Sequence, residues 1–237
     1  MCSIILIKNS NNLVIATNRD ELLDRPSKAP QIRKEGFLKN YSPQDSSKGG
    51  TWLGLNEKGL FVGITNRFTP TPNKNLKSRG IITKKALEAS SPSEALEKLS
   101  NLKATEFNPF HLLITNRSET LIFWSDGIKF THFEMLDQSF ILTESSFGAG
   151  ENKRYSFLKN HMAKLTADDD CEVFKKLLSL KAVPSFEGPL VHIPEKNYGT
   201  RSSFIIKLTT DIKSSEFYYS DVPPDQNKWV DFKNIII

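Results

Sequence analysis

Two apolar runs near the start of the chain, "SIILIK" and "LVIAT", flank the turn-forming cluster "NSNN". Short runs rich in Ile, Leu and Val, separated by such a cluster, predict a β-hairpin. No other stretch constrains the fold as strongly, because a hairpin fixes register and register decides which side chains share a face. With the turn centred between Ser10 and Asn11, paired residues sum to 21 and Cys2 faces Arg19. A slip of one residue puts Asn18 or Asp20 opposite instead. In every register the cysteine lies beside the tripeptide "NRD".

The polar, Pro-bearing stretch from Leu23 to about Ser47 reads as a loop excursion. "GGTWLGL", "NEKG" and "LFVGITN" predict a second hairpin, with glycines where a bulge or a ligand's close approach is accommodated. Between residues 78 and 102 the spacing becomes helical. There "SPSE" supplies Ser91 as N-cap, Pro92 in the first turn and Glu94 at the capping-box position. "FHLLITN", "ETLIFWS" and "IKFTHF" predict a meander, its last two strands joined by the two-residue turn Asp126-Gly127. Two helical segments follow from Asn152 to about Leu180, interrupted by "ADDD", a solvated loop and second helix start. Strands return at "SFIIKL" and "EFYYS". Strand runs alternating with helix pairs, without a βαβ rhythm, predict an α+β fold of antiparallel sheets with helices on their outer faces. No internal repeat or strong linker divides the chain, so residues 1–237 read as one domain.

The formal charge of +5 comes from lysines scattered along the chain, with no basic-aromatic stripe, which argues against nucleic acid. Peripheral contact with an anionic membrane surface is compatible with it. Cys2 and Cys171 form no disulfide framework and lack companions at zinc-ligand spacing, so a reducing, cytoplasmic setting and no metal are expected. The apolar run ending at Lys8 is too short for a signal-peptide core or a membrane span. His111 and His132 fall in strand patterns and His161 and His192 near surfaces. Trp52, Trp124 and Phe61 read as core.

If Met1 is removed, Cys2 carries its own base, an α-amine with a reference pKa of roughly 7.7 to 8.0. A neighbouring Arg19 guanidinium would favour the thiolate, and Asp20 could orient the amine or the arginine. Read singly, Cys2 is as readily a small hydrophobe at a strand start, and "NRDE" a set of residues that solvate a turn. The hairpin pairing is what joins them into a candidate site, with Asn18 and Glu21 beside it. Gly49 and Gly50, before Thr51 and Trp52, could bring backbone N–H groups to a ligand or form a plain tight turn, and Gly50, Thr51 and Trp52 are candidate binding residues.

The blocks "MCSIILIK", "ATNRDELLDRPSKAP", "KGGTWLGLNEKGLFVGITNRF" and "NYGTRSSFIIKL" resemble, in order, those of the NRDE-motif family, the Transport and Golgi organisation protein 2 homologues. That family in turn resembles N-terminal-nucleophile hydrolases of the penicillin V acylase and bile salt hydrolase type. The resemblance implies a four-layer αββα sandwich of two antiparallel sheets and hydrolysis of a non-peptide amide by an N-terminal cysteine, without a cofactor. On that pattern Cys2 matches the nucleophile, Arg19 and Asp20 the acylase arginine and aspartate, Asn66 an oxyanion-hole asparagine, and Arg201 the late active-site arginine. Glu144, in "ILTESS", takes the place of a second asparagine. A carboxylate donates no hydrogen bond unless protonated, so it would not hold an oxyanion. All six are expected around one pocket. The resemblance also implies an alternative, a non-catalytic carrier that binds haem or an acyl ligand in the same pocket. A third reading, an interaction protein using its basic surface, leaves the polar residues around Cys2 unexplained.

Overall fold

The computed structural model describes residues 2–150 and 153–232; Met1, whose removal the candidate chemistry requires, lies outside them. The first hairpin forms as β1 (Cys2–Lys8) and β2 (Asn12–Leu22), with Cys2 opposite Arg19 and Lys8 opposite Leu13. Asn9 shapes the turn, its side-chain oxygen accepting from the N–H groups of Asn11 and Asn12, a bond that mimics a backbone turn.

The polar stretch after β2 is not a loop. It forms a second hairpin, β3 (Ser27–Glu35) and β4 (Leu38–Asp45), reversing at Gly36 with φ of 60°. β3 is an edge strand, exposed along most of its length, and its register shifts between Lys28 and Gln31, beside Pro30. An edge tolerates proline and charge, which erases the alternation by which a strand is read. β5 (Leu53–Asn56) and β6 (Phe61–Asn66) form as expected, as do α1 (Gly80–Ala86) and α2 (Pro92–Leu99). Ser91 caps α2 by accepting from the Glu94 N–H, while the Glu94 carboxylate reaches back to the N–H of Ser90.

The meander is β7 (Phe110–Thr115), β8 (Thr120–Ser125) and β9 (Phe130–Glu134). Its last turn is longer than the expected two residues, because Ser125 pairs with Phe130. The Asp126 carboxylate accepts from the N–H groups of Ile128 and Lys129 and so closes the wider loop. β10 (Ser139–Leu142) precedes α3 (Lys153–Met162) and α4 (Cys171–Leu178); Asn152, the expected start of this helical pair, lies outside the described residues. The Asp170 side chain caps α4, as "ADDD" implied. β11 (His192–Ile193), β12 (Tyr198–Thr209), β13 (Glu216–Ser220) and β14 (Trp229–Asp231) complete the described elements.

One sheet has the order β10-β1-β2-β12-β13-β14, with β11 on β12; the other runs β3 to β9 in sequence. Ile4, Leu6, Leu13 and Ile15 meet Leu53, Leu113 and Ile122 between the sheets. Ile5, Ile7, Val14 and Ala16 face Leu158, Phe174 and Leu178 of the second helix pair. Val62, Leu112 and Ile114 face Ile82, Ala86, Ala95 and Leu99 of the first. The result is the expected α+β arrangement, two antiparallel sheets between two helix layers. Its alternation is strict in the first hairpin: even residues of β1 and odd residues of β2 point between the sheets, the others toward α3 and α4.

Candidate active site

That alternation extends to the open end of the first hairpin. Cys2 continues the inward row of Ile4 and Leu6, and Arg19 that of Leu13 and Ile15. The inter-sheet core there gives way to a cavity of about 590 Å³, lined by Cys2, Arg19, Asp20, Trp52 and Asn66 among others. Arg19 is only 5% exposed, and its guanidinium lies 4.1 Å from the centre of the Trp52 ring, a cation–π contact. Its Nη2 is 3.8 Å from the Glu21 carboxylate, and its Nη1 is buried with no hydrogen-bond partner. Burial pushes the Cys2 thiol up and the Asp20 carboxylate adds to this, while the Asp20 N–H and the Arg19 guanidinium pull it down. Arg19 acts in the expected direction, but desolvation of the charged form outweighs it.

Asp20 points the other way, toward the helices. Its Oδ2 accepts from Arg154 Nη1 at 2.8 Å and its Oδ1 from the Thr200 hydroxyl at 2.8 Å. The Tyr198 hydroxyl donates to its backbone oxygen. Arg154, 3% exposed at the start of α3, also donates to the Phe186 carbonyl and lies 3.6 Å from the Glu144 carboxylate. Glu144 therefore turns to Arg154 and does not line the cavity, contrary to the expectation that it borders the pocket. The reason is charge: a buried carboxylate goes where a cation compensates it. Asn18, expected beside a ligand, also faces the helices; it donates to the carbonyls of Leu178 and Pro189 and accepts from Ser203. It fastens α4 to β2.

A β-bulge decides the place of Arg201. Thr200 pairs with Asp20 and Ser202 with Arg19, leaving Arg201 as the extra residue. The bulge reverses the alternation of β12, so Thr200 can reach Asp20 while Phe204 and Ile206 still face inward. Arg201 is half-buried, its Nε lacks a partner, and it is not among the cavity-lining residues. Cys2, Arg19, Asp20 and Asn66 thus share one cavity, and Arg201 and Glu144 do not.

Gly50 and Thr51 line the cavity as well. A Cβ on Gly50 would stand 2.8 Å from the Gly80 Cα, and one on Gly80 would stand 2.9 Å from the Gly50 Cα. Only glycine at both positions lets the β4–β5 connection and the start of α1 touch. The Thr51 hydroxyl is turned to the Leu53 carbonyl, and Trp52 is both a wall of the cavity and a neighbour of two core clusters. Two arginines on the cavity side went unread in the sequence. Arg25 binds Asp45 at 2.7 Å, and Arg79, just before α1, donates to the Pro109 carbonyl. Burial lowers Arg79, countered by Cys2 and Glu21. "DRP" and "SRG" carry no spacing signal that would place them there.

His111 lies in the core away from the cavity, its Nε2 3.1 Å from Arg67; burial, with Arg67, pushes it down to about 3, so it is neutral. No group of three or more His, Cys, Asp or Glu side chains placed to hold a metal ion occurs among the described residues. Nor is any described helix long and apolar enough to cross a membrane.

An αββα sandwich whose first strand delivers a cysteine to the open end of the inter-sheet layer has the architecture of an N-terminal-nucleophile hydrolase. Solved structures agree. Penicillin V acylase from Agrobacterium tumefaciens superposes with a TM-score of 0.57 at 15% identity, over 100% of this chain and 87% of that one. The Caenorhabditis elegans N-acylethanolamine-hydrolyzing acid amidase ortholog gives 0.62 at 13% identity, over 87% and 92%. A mutant of the conjugated bile acid hydrolase from Clostridium perfringens gives 0.53 at 12%, over 100% and 94%.

The chain belongs to the Transport and Golgi organisation 2 family, whose sequence model matches residues 1–219. The Bos taurus Transport and Golgi organization protein 2 homolog is 29% identical over 113 residues, 47% of this chain and 41% of that protein. The Homo sapiens homolog is 28% identical over 113 residues, with the same coverage. The matched stretch thus spans about two fifths of these curated relatives.

Proposed function

We propose that the chain, once Met1 is removed, is a cysteine amidohydrolase acting on a small-molecule amide. The observation that carries this reading is the pairing of Cys2 with Arg19 at a cavity beneath which Asp20 is rigidly held. The Cys2 thiol passes its proton to the freed α-amine as the sulfur attacks the amide carbon. This suits a thiol that burial keeps protonated until a base is at hand. The Asn66 amide holds the oxyanion, and the arginine field stabilises the negative charge that forms. The C–N bond breaks, the amine leaves with the proton, and water then cleaves the thioester to release the acid.

Haem carriage in the same cavity is less well supported. Among the described residues its lining contains no His or Met, and Cys2 is the one iron-binding side chain of the usual kinds.

The test is a panel of N-acyl amides assayed with untagged wild type and Cys2→Ser, with intact mass recorded for both. The expected result is loss of Met1, hydrolysis abolished by Cys2→Ser, and an acyl adduct on wild type. Uniform retention of Met1, or turnover that survives Cys2→Ser, would overturn the mechanism.

A further inference from the structure

Among the described residues six cationic ones line the cavity, Arg19, Arg25, Lys48, Lys74, Lys77 and Arg79, against three acidic ones, Asp20, Glu21 and Asp45, of which Asp20 turns its carboxylate to the helices. Asp20 is already matched from the helix side by Arg154, Lys77 by Glu106 and Arg25 by Asp45. Glu21 is shared. The same oxygen, Oε2, lies 3.8 Å from Arg19 Nη2 and 3.7 Å from Arg25 Nη1, beyond hydrogen-bonding distance of both. Meanwhile Arg19 Nη1 and Arg25 Nε are buried without an acceptor. A buried donor left unmade is costly, and two on adjacent guanidinium groups in one cavity mark a place where an acceptor is missing.

Resting on the amide chemistry proposed for Cys2, we propose that the substrate is an anion, an amide bearing a carboxylate or phosphate that Arg19, Arg25 and Arg79 bind as the amide carbon meets Cys2. A planar or tetrahedral oxyanion accepts from several guanidinium N–H groups at once. Exposed Lys48 and Lys74 add to the positive potential at the rim, and a low-dielectric cleft focuses it. Glu21, bridging two arginines without bonding either, holds them together until the ligand supplies the missing acceptors.

The test needs no turnover. Cys2 is alkylated with neutral iodoacetamide and with anionic iodoacetate, and the ratio of the two rates is compared with that of a cysteine peptide. The expected iodoacetate preference is about tenfold above the peptide, falling with added salt. It drops by about threefold in Arg79→Gln and by a similar factor in Lys48→Gln/Lys74→Gln, whose exposed positions leave folding intact. Protection from iodoacetamide by N-acylglycine, N-acylethanolamine phosphate and neutral N-acylethanolamine then separates carboxylate from phosphate. A peptide-like ratio, a ratio unmoved in the lysine pair, or equal protection by the neutral amide overturns the proposal. Anion-selective protection without hydrolysis of any amide removes the hydrolase reading and upholds anion binding. Hydrolysis of neutral amides alone does the reverse.

Discussion

On the helix-facing side of β2 the Asp20 carboxylate is hydrogen-bonded at both oxygens, by Arg154 on one and Thr200 on the other, with Glu144 behind at 3.6 Å from Arg154, its Oε2 making no hydrogen bond. On the opposite side, around Arg19, a guanidinium group equally buried keeps an unused N–H and rests on a tryptophan face. The two residues are adjacent, yet one belongs to a closed network and the other to an open one. The difference separates scaffold from site. A buried carboxylate hydrogen-bonded at both oxygens fixes geometry, whereas buried donors held without acceptors are tolerated where a ligand completes them.

Breaking the closed side has the largest expected effect. Arg154→Met leaves two carboxylates near one another without a cation and should cost about 3–5 kcal/mol in urea unfolding. Asp20→Asn added to it should recover a substantial part. A loss under about 1 kcal/mol for the single substitution would erase the contrast. On the open side, Arg19→Leu should change stability by no more than about 1 kcal/mol, since it removes no side-chain hydrogen bond to a described residue, but should move the Cys2 alkylation midpoint to higher pH.

Titration sharpens the comparison further. The folded Cys2 thiol holds its proton more tightly than the unfolded one. Its contribution to stability is therefore present at neutral pH and is lost as pH rises past the free-thiol range near about 8.5. Denaturation across pH 7 to 10 should show that decline in wild type and a shallower one in Cys2→Ala. The smallest effect belongs to Glu144→Gln. Arg154 retains Asp20, and the 3.6 Å contact is no hydrogen bond, so a loss of about 1 kcal/mol or less is expected.

The hairpin that creates this two-sidedness was legible by counting residues, because β1 and β2 are apolar on both faces and their turn is made of asparagines. Pairing Cys2 with Arg19 needed nothing else. The β3–β4 hairpin was not legible: Ile32 and Phe37 are exposed and charges lie on both sides of β3, so no face repeats. Arg154 joins Asp20 across 134 residues from a helix start without a motif, a long-range pairing that local patterns do not encode. Arg201 was misplaced for a subtler reason. One bulged residue shifts the alternation of a strand, and "YGTRSSF" contains nothing that marks it.

Gly50 and Gly80 fix one part of the cavity wall. Two backbones in direct contact have no side chain between them to rotate aside, so rotamer changes cannot widen the opening at that point. Widening the wall at this point would require the backbone at the start of α1 to shift against the β4–β5 connection, and Arg79, the residue before Gly80, would shift with it. At this part of the wall the width of the cavity and the position of one lining cation are thus coupled through the backbone.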